Sequence, residues 1–292
     1  MIGVTMQDTT PPLWHLSGKT AVITGAASGL GRELALACTA AGMRLVLADI
    51  DAVGLAQTLA LTGLPPEQAV TQLCDVSKAE DLERLAQTAQ ECFGGTHLLF
   101  NNAGVLTAGP LWGASARDWQ WMLDVNVMSV AHGIRSFVPA MLARGEQAWV
   151  VNTASMAGLA NSPELGLYCA SKHAVVSISE CLHHELAQTG KPVGVSVMCP
   201  SFVATGITDA AKKHSAGEAA EHAAPSPLID RIHQATQSGA LSAADVARIT
   251  LEAVQAQRFY ILPHAAALAN VEQRLHKLMA GAAPHNPLAG AR

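Results

Sequence analysis

"KTAVITGAASGLG", residues 19–31, decides the fold of this 292-residue chain. It starts as a short apolar run, KTAVIT (19–24), and passes into TGAASGLG (24–31), which opens a helical pattern reaching Ala41. An apolar run without polar alternation predicts a strand covered on both faces. Gly25, Gly29 and Gly31 allow a tight turn and let backbone approach a pyrophosphate closely. The helix that follows offers unpaired N–H groups and the positive end of its dipole. A glycine trio alone is equally a plain turn. Its position between the first strand and the first helix is what points to a dinucleotide.

The same alternation continues along the chain. MRLVLAD (43–49), QAVTQLCD (68–75), THLLFNN (96–102), AWVVNTAS (148–155), VGVSVMCP (193–200) and RFYIL (258–262) read as strands. Helical stretches separate them: AVGLAQTLAL, KAEDLERLAQTAQECF, and longer ones over about 116–143 and 163–189. Strands joined by helices imply crossover βαβ units and a parallel sheet. The expectation is an α/β fold, a Rossmann-type doubly wound parallel sheet of about seven strands with helices on both faces. Residues 1–17 read as an N-terminal tail, 18–265 as one catalytic domain, and 266–292 as a C-terminal helix and tail. The stretch 206–240, rich in Ala, Ser, His and Pro, breaks the rhythm and is expected to be a substrate lid.

Composition excludes several classes. Half the residues are hydrophobic, 14% are charged and the net charge is −5. The densest basic pair, Lys212-Lys213, lies near Glu218 and Glu221, so nucleic acid is not an expected partner. No apolar run approaches the roughly 20 residues that span a bilayer, so no membrane association is expected. The first 18 residues lack an early positive charge and an apolar core, and do not read as a secretory signal. Cys38, Cys74, Cys92, Cys169, Cys181 and Cys199 show no C-x-x-C spacing and read mostly as buried thiols, which fits a cytoplasmic protein. Cys169, beside Tyr168, is open to two readings: a packed thiol or a reactive one. His183-His184-Glu185 lacks the second histidine of H-E-x-x-H, since Gln188 stands there, so no metal site is expected.

Two acidic residues end strands. Asp49 lies 18 residues after Gly31, where a carboxylate can accept from both adenosine ribose hydroxyls and would repel a 2′-phosphate. No Arg or Lys lies within the glycine loop to offset that repulsion, so NAD(H) is expected over NADP; the plainer reading is a helix cap. Asp75, in LCDVS, is a candidate for the adenine amino group or a cap. NNAG (101–104) supplies small residues where a cofactor would pass. Tyr168 and Lys172, four apart, share one helical face. Y-x-x-x-K arises by chance in roughly 5% of shuffled sequences, so the pair alone is weak. Ser155 ends the fifth strand 13 residues earlier, at the sheet's carboxyl edge, where ligands bind. Alone it reads as a cap, and Asn126 alone as a buried amide.

Taken together, TGAASGLG, Asp75, NNAG, the Asn of DVNVMS, the Ser of NTASMAG and YCASK resemble, in order and spacing, the classical short-chain dehydrogenase/reductase family, over about residues 17–265. The resemblance implies a Ser155–Tyr168–Lys172 site supported by Asn126. Tyr168 would exchange a proton with the substrate oxygen. Lys172 would lower its pKa and hold the nicotinamide ribose. Ser155 would align the substrate oxygen, and Asn126 would hold a water linking Lys172 to solvent. NAD(H) would lie along Gly25, Ser28, Gly29, Leu30 and Gly31, then Asp49, Asp75 and Val76. It would continue past Asn102, Ala103 and Gly104 to Tyr168, Lys172, Pro200, Val203 and Thr205. The family's Pro-Gly after strand six is here Pro200-Ser201, whose Cβ predicts an altered nicotinamide pocket.

The expected substrate walls are Leu106, Met156, Leu159, Phe202 and Ile207, which suit a small hydrophobic secondary alcohol or ketone. Lys212, Lys213 and His214 in the lid could hold an anion or simply be a solvated charge run. The helix after strand four carries Trp119, Met122, Val130, Phe137, Val138 and Met141, more apolar surface than one sheet face needs. With the family's four-helix interface, this predicts a homodimer or homotetramer. Three readings stay open at this point: an NAD-dependent alcohol dehydrogenase, an NADP-linked ketone reductase, and an NAD-binding scaffold without turnover.

Overall fold

The computed structural model describes residues 13–203, 205–208, 227–237 and 240–287. Seven strands are present: β1 (Thr20–Thr24), β2 (Arg44–Asp49), β3 (Ala69–Leu73), β4 (Leu98–Asn101), β5 (Ala148–Thr153), β6 (Val193–Met198) and β7 (Tyr260–Ile261). They form one sheet in the order β3-β2-β1-β4-β5-β6-β7, every pairing parallel. The order reverses between β1 and β4, and the crevice at such a reversal is where ligands bind in open α/β sheets.

The helices are α1 (Gly29–Ala40), α2 (Ala52–Thr62), α3 (Ala79–Phe93), α4 (Ala116–Leu123), α5 (Ser129–Arg144), α6 (Gly166–Gln188), α7 (Pro227–Gln237), α8 (Ala243–Gln255) and α9 (Leu268–Met279). Alternate strand residues enter opposite cores. Ala21, Ile23, Leu45, Leu47, Leu98 and Phe100 pack with α1 and α8 residues on one face. Val22, Val46, Leu99, Val150 and Val195 pack with α3 and α5 residues on the other. Period-two alternation therefore places each strand's apolar run into both cores. β3 is the exception: as an edge strand it shows alternating burial over AVTQL.

The observed strands are shorter than the apolar runs. Cys74-Asp75, Asn102, Ala154-Ser155 and Cys199-Pro200 fall beyond the last paired residues of β3, β4, β5 and β6. All of these except the buried Cys199 line the crevice at the sheet's carboxyl edge. The single helix expected over 116–143 is two, α4 and α5, joined by a π-helical turn at Asp124–Met128. Such turns insert an extra residue into the helix and re-aim a side chain; here the turn carries Asn126.

The reasoning for a subunit interface needs correction. Met122, Val130, Phe137, Val138 and Met141 are all buried within this one chain, in the packing between the sheet and its flanking helices. The exposed large hydrophobic residues on this helical pair and its connecting turn are Leu123 and Met128. Of the expected lid, Gly206–Thr208 and α7 are described; Leu228, Ile229 and Ile232 of α7 are buried, and Leu228 and Ile232 pack against Leu106. Lys212, Lys213 and His214 lie outside the described residues. Among the described residues, no helix is long and apolar enough to cross a membrane, and no cluster of His, Cys, Asp or Glu could hold a metal ion.

Candidate active site

The glycine loop is held from three sides. Gly25 has a left-handed φ of 68°, and a Cβ there would lie 2.9 Å from Ala103 Cα. A Cβ on Gly31 would lie 1.9 Å from the Gly25 carbonyl oxygen, so α1 abuts the loop's own backbone. Thr24 ties this loop to the end of β4. Its Oγ1 donates to Phe100 O and accepts from Asn102 N at 2.9 Å and Ala103 N at 3.1 Å. Asn102 Nδ2 donates back to Thr24 O. NNAG is thus stitched to TGAASGLG across β1 and β4. Ser28 makes no side-chain cap at the start of α1, which leaves the first-turn amides to the cleft that Ser28–Gly31 line.

Asp49 also braces the loop. Its Oδ2 accepts from Ala27 N at 3.0 Å and its Oδ1 from Asp51 N at 3.1 Å. Asp51, not Asp49, caps α2. Arg32, which follows the loop, donates to Ala27 O, Thr58 Oγ1 and Gln57 Oε1. Asp75 accepts from Ser77 N and Oγ in a local turn, and Lys78 is the N-cap of α3.

α6 is positioned by a buried polar ladder with no obvious sequence signature. Asn101 Nδ2 donates to Asn152 Oδ1 at 2.9 Å, Asn152 Nδ2 to Ser179 Oγ at 3.0 Å, and Ser179 Oγ to Val175 O. The ladder joins β4 and β5 to α6. At the amino-terminal end of α6 Tyr168 stands in the cleft with Ser155, whose hydroxyl acts to lower the phenol's pKa. Ser155 also accepts from Ala157 N at 3.1 Å. Lys172 is 2% exposed; its Nζ donates to Thr153 O at 2.9 Å and lies 5.7 Å from the Tyr168 ring centre.

Here the structure corrects the electrostatics expected of this pair. Burial pushes the Tyr168 phenol up to about 12, against the lowering effect of the Ser155 hydroxyl. Burial likewise lowers Lys172 to about 8. Desolvation disfavours both charged forms. Without cofactor, Tyr168 is a neutral phenol at neutral pH.

Asn126 is 1% exposed and does not line the cleft. Its Oδ1 accepts from Val105 N at 2.8 Å, and its Nδ2 donates to Val105 O and Ser171 Oγ, both at 3.0 Å. These bonds clamp the loop after NNAG from behind. A Cβ on Gly104 would lie 3.3 Å from Asn126 Oδ1 and 3.4 Å from Lys172 Nζ, so this glycine lets both groups approach the loop.

The cleft has a volume of about 930 Å³. Of the residues expected at the cofactor, Gly25, Ser28–Gly31, Asp49, Asp75, Val76, Asn102–Gly104, Tyr168, Lys172, Pro200, Val203 and Thr205 all line it, as does Ser155. Leu106, Met156, Phe202 and Ile207 line its other end. Leu159 does not; it packs against the cluster containing Val130, Val175 and Val197, a core role that an apolar loop residue fills equally well. Sequence reasoning missed Trp121, Leu165, Ile232, Asn270 and Pro287, which also line the cleft. They come from distant elements, and no local motif marks them. Ser201 is not among the residues with positive φ, and its N–H donates to His264 Nδ1 at 3.1 Å. Ser201 lines the cleft with a backbone outside the left-handed region. Cys169 is 3% exposed and its thiol pKa is raised by burial, so it is a packed thiol.

The short chain dehydrogenase family profile matches residues 19–216. A short chain dehydrogenase/reductase from Burkholderia phymatum, solved in complex with NAD, is 46% identical with a TM-score of 0.89, covering 94% of this chain and 99% of that one. The CLA biosynthesis dehydrogenase/reductase of Lactiplantibacillus plantarum is 29% identical over 272 residues, 91% of this chain and 95% of its own. The 1-deoxy-11-beta-hydroxypentalenate dehydrogenase of Streptomyces exfoliatus is 33% identical over 252 residues, 85% of this chain and 83% of its own. With a glycine loop at the first βα junction, a seven-stranded parallel sheet and these matches over most of its length, the chain belongs to the short chain dehydrogenase family of oxidoreductases.

Proposed function

We propose that this chain interconverts a hydrophobic secondary alcohol and its ketone with NAD(H), Tyr168 exchanging the proton. The observation that carries the reading is one cleft lined by the glycine loop and by Ser155, Tyr168 and Lys172, with the Lys172 ammonium 5.7 Å from the Tyr168 ring centre. The residues present fit a dinucleotide. The cradle between Gly25 and Gly31 has no room for a Cβ on Gly31, the first amides of α1 face the cleft, and Asp49 stands at the end of β2. The bound nicotinamide would supply or accept the hydride. Ser155 orients the substrate oxygen and donates to charge developing there. Tyr168 gives its proton to that oxygen in reduction and takes it back in oxidation. Lys172, anchored on Thr153 O, supplies the cation that a transient phenolate needs.

Asp49 and Arg32 favour NAD over NADP: the carboxylate repels a 2′-phosphate, and the nearest guanidinium is occupied by Ala27, Thr58 and Gln57. Asp49→Ala is expected to weaken NADH binding about tenfold and to reduce discrimination against NADPH, as read by nucleotide fluorescence titration. Unchanged NADH affinity would remove the ribose contact. Leu106, Trp121, Met156, Leu165, Phe202 and Ile232 surround the substrate end, which favours an apolar substrate. Exposed Leu123 and Met128 on the α4–α5 pair support a homodimer or homotetramer. A panel of hydrophobic secondary alcohols with NAD tests the activity; NADH binding without turnover on any of them favours the scaffold instead.

The direction of the pH effect follows from the buried phenol. Oxidation needs Tyr168 as a base and reduction needs it as an acid, while its folded pKa is pushed up to about 12. The kcat/KM for alcohol oxidation should rise steadily from about pH 6 to about pH 10, while that for ketone reduction should stay level over the same range, because a phenol pushed up to about 12 keeps its proton there. A flat oxidation profile would contradict a proton exchanged by Tyr168.

A further inference from the structure

The amino ends of the strands, on the side of the sheet opposite the cleft, enclose a second cavity of about 340 Å³. Its walls include Lys19 before β1, Arg44 at the start of β2, His97 before β4, Arg144 at the end of α5, and Glu146 between α5 and β5. A strand of this length separates it from the glycine loop by roughly 15 Å. None of these residues contributes to the nucleotide or proton-transfer groups described above.

Three cations face one carboxylate there, in a chain whose net charge is −5. Glu146 is already shared: its carboxylate lies 3.7 Å from Lys19 Nζ, 3.7 Å from Arg144 Nε and 3.1 Å from His97 Nε2. His97 adds no charge at neutral pH. Its burial and the nearby Arg144 lower its pKa to about 4, and its Nδ1 accepts from Thr20 N, which leaves the Nε2–H to Glu146. The surplus is therefore positive. Cations are also welcome at helix C-termini, and Arg144 closes α5 with its Nη2 donating to Thr96 O at 2.6 Å. That accounts for the presence of Arg144 but not for the donors left over. Arg44 Nε is buried with no hydrogen-bond acceptor, Arg144 Nε is buried with none nearer than the Glu146 carboxylate at 3.7 Å, and the Arg44 guanidinium is held over the Phe93 ring, 5.4 Å from its centre. Buried guanidinium donors without acceptors are costly unless something brings oxygens to them.

We infer that this cavity binds a small oxyanion of the phosphate type, either inorganic phosphate or the phosphate of a small monoester. Two guanidinium groups and an ammonium are the donor set such an anion prefers, and guanidinium forks match its oxygens. The volume leaves room for a phosphate with or without a small ester group.

The test uses the NADH-saturated protein, so that the glycine loop is filled. Inorganic phosphate and glycerol 3-phosphate are titrated separately at constant ionic strength, by calorimetry and by thermal unfolding. Saturable binding with a rise in Tm is expected. Tighter phosphate points to the free ion as ligand, and tighter glycerol 3-phosphate to a monoester. Arg44→Gln should weaken either probe at least about tenfold while leaving NADH affinity and turnover unchanged. Lys19→Gln, on a partly exposed residue, should weaken them too and serves if Arg44→Gln does not fold. No saturable binding of either probe, binding that NADH abolishes, or undiminished affinity in the folded variants would each overturn the site.

Discussion

Tyr168→Phe is expected to reduce turnover by about three to four orders of magnitude while NADH affinity stays within about twofold. The phenol lies in the cleft with Ser155, and its ring lies beside Lys172. Removing one oxygen leaves the ring's packing in place, so a fall in rate without a fall in stability isolates the proton. Single-turnover rates and nucleotide fluorescence on the same preparation separate the two effects. Retention of more than about a tenth of the wild-type rate would remove Tyr168 from the proton path and leave Ser155 or solvent as the donor.

Gly31→Ala is expected to be the most damaging small substitution in the cofactor end. A Cβ there would meet the Gly25 carbonyl oxygen at 1.9 Å, its carbon at 2.7 Å and Asn102 Nδ2 at 2.8 Å. Two of these are backbone atoms, which cannot swing aside as a long side chain would. Either α1 withdraws from the sheet or the 24–27 turn opens. Overpacking of this kind costs about 1–3 kcal/mol or more, and the displaced amides no longer converge on one point. NADH affinity should fall at least about tenfold and Tm by several degrees, on the order of 2–4 °C for each kcal/mol lost in a chain of this size. By contrast Gly63, with open space around its Cα but a φ of 65°, carries strain alone and offers the matched control. If Gly31→Ala bound NADH as tightly as wild type, the loop would not be the cradle.

Much of the architecture was legible because its signals are local. Continuous apolar runs marked strands buried on both faces, glycines marked the first turn, and helical stretches between strands required parallel crossovers. The order of motifs also carried the placement of Ser155, Tyr168 and Lys172 at one edge of the sheet. Of the six apolar residues expected at an interface, five are buried within the chain and Trp119 is half-buried. Hydrophobic surplus on a helix says that it is covered, not by what, and here Met122, Phe137 and Met141 are covered within the same chain.

Asn126 shows the same limit at the level of one side chain. Its register was readable, but its partners are Val105 and Ser171, which lie 21 and 45 residues away, and only the fold chooses them. Leu159 looked like a pocket wall and is core, while Trp121, Asn270 and Pro287 look like nothing in particular and line the cleft.

Sequence alone therefore determined the strand–helix alternation, the glycine turn and the order in which the chemical groups occur, since each depends on neighbours a few residues apart. Tertiary structure decided the charge states. Tyr168 rises to about 12 and Lys172 falls to about 8 because distant elements exclude water from both. The residues at the substrate end, and the three cations gathered beneath the sheet, were likewise set by contacts between segments far apart in the chain. Desolvation and convergence are properties of packing, and no spacing along a chain encodes them directly.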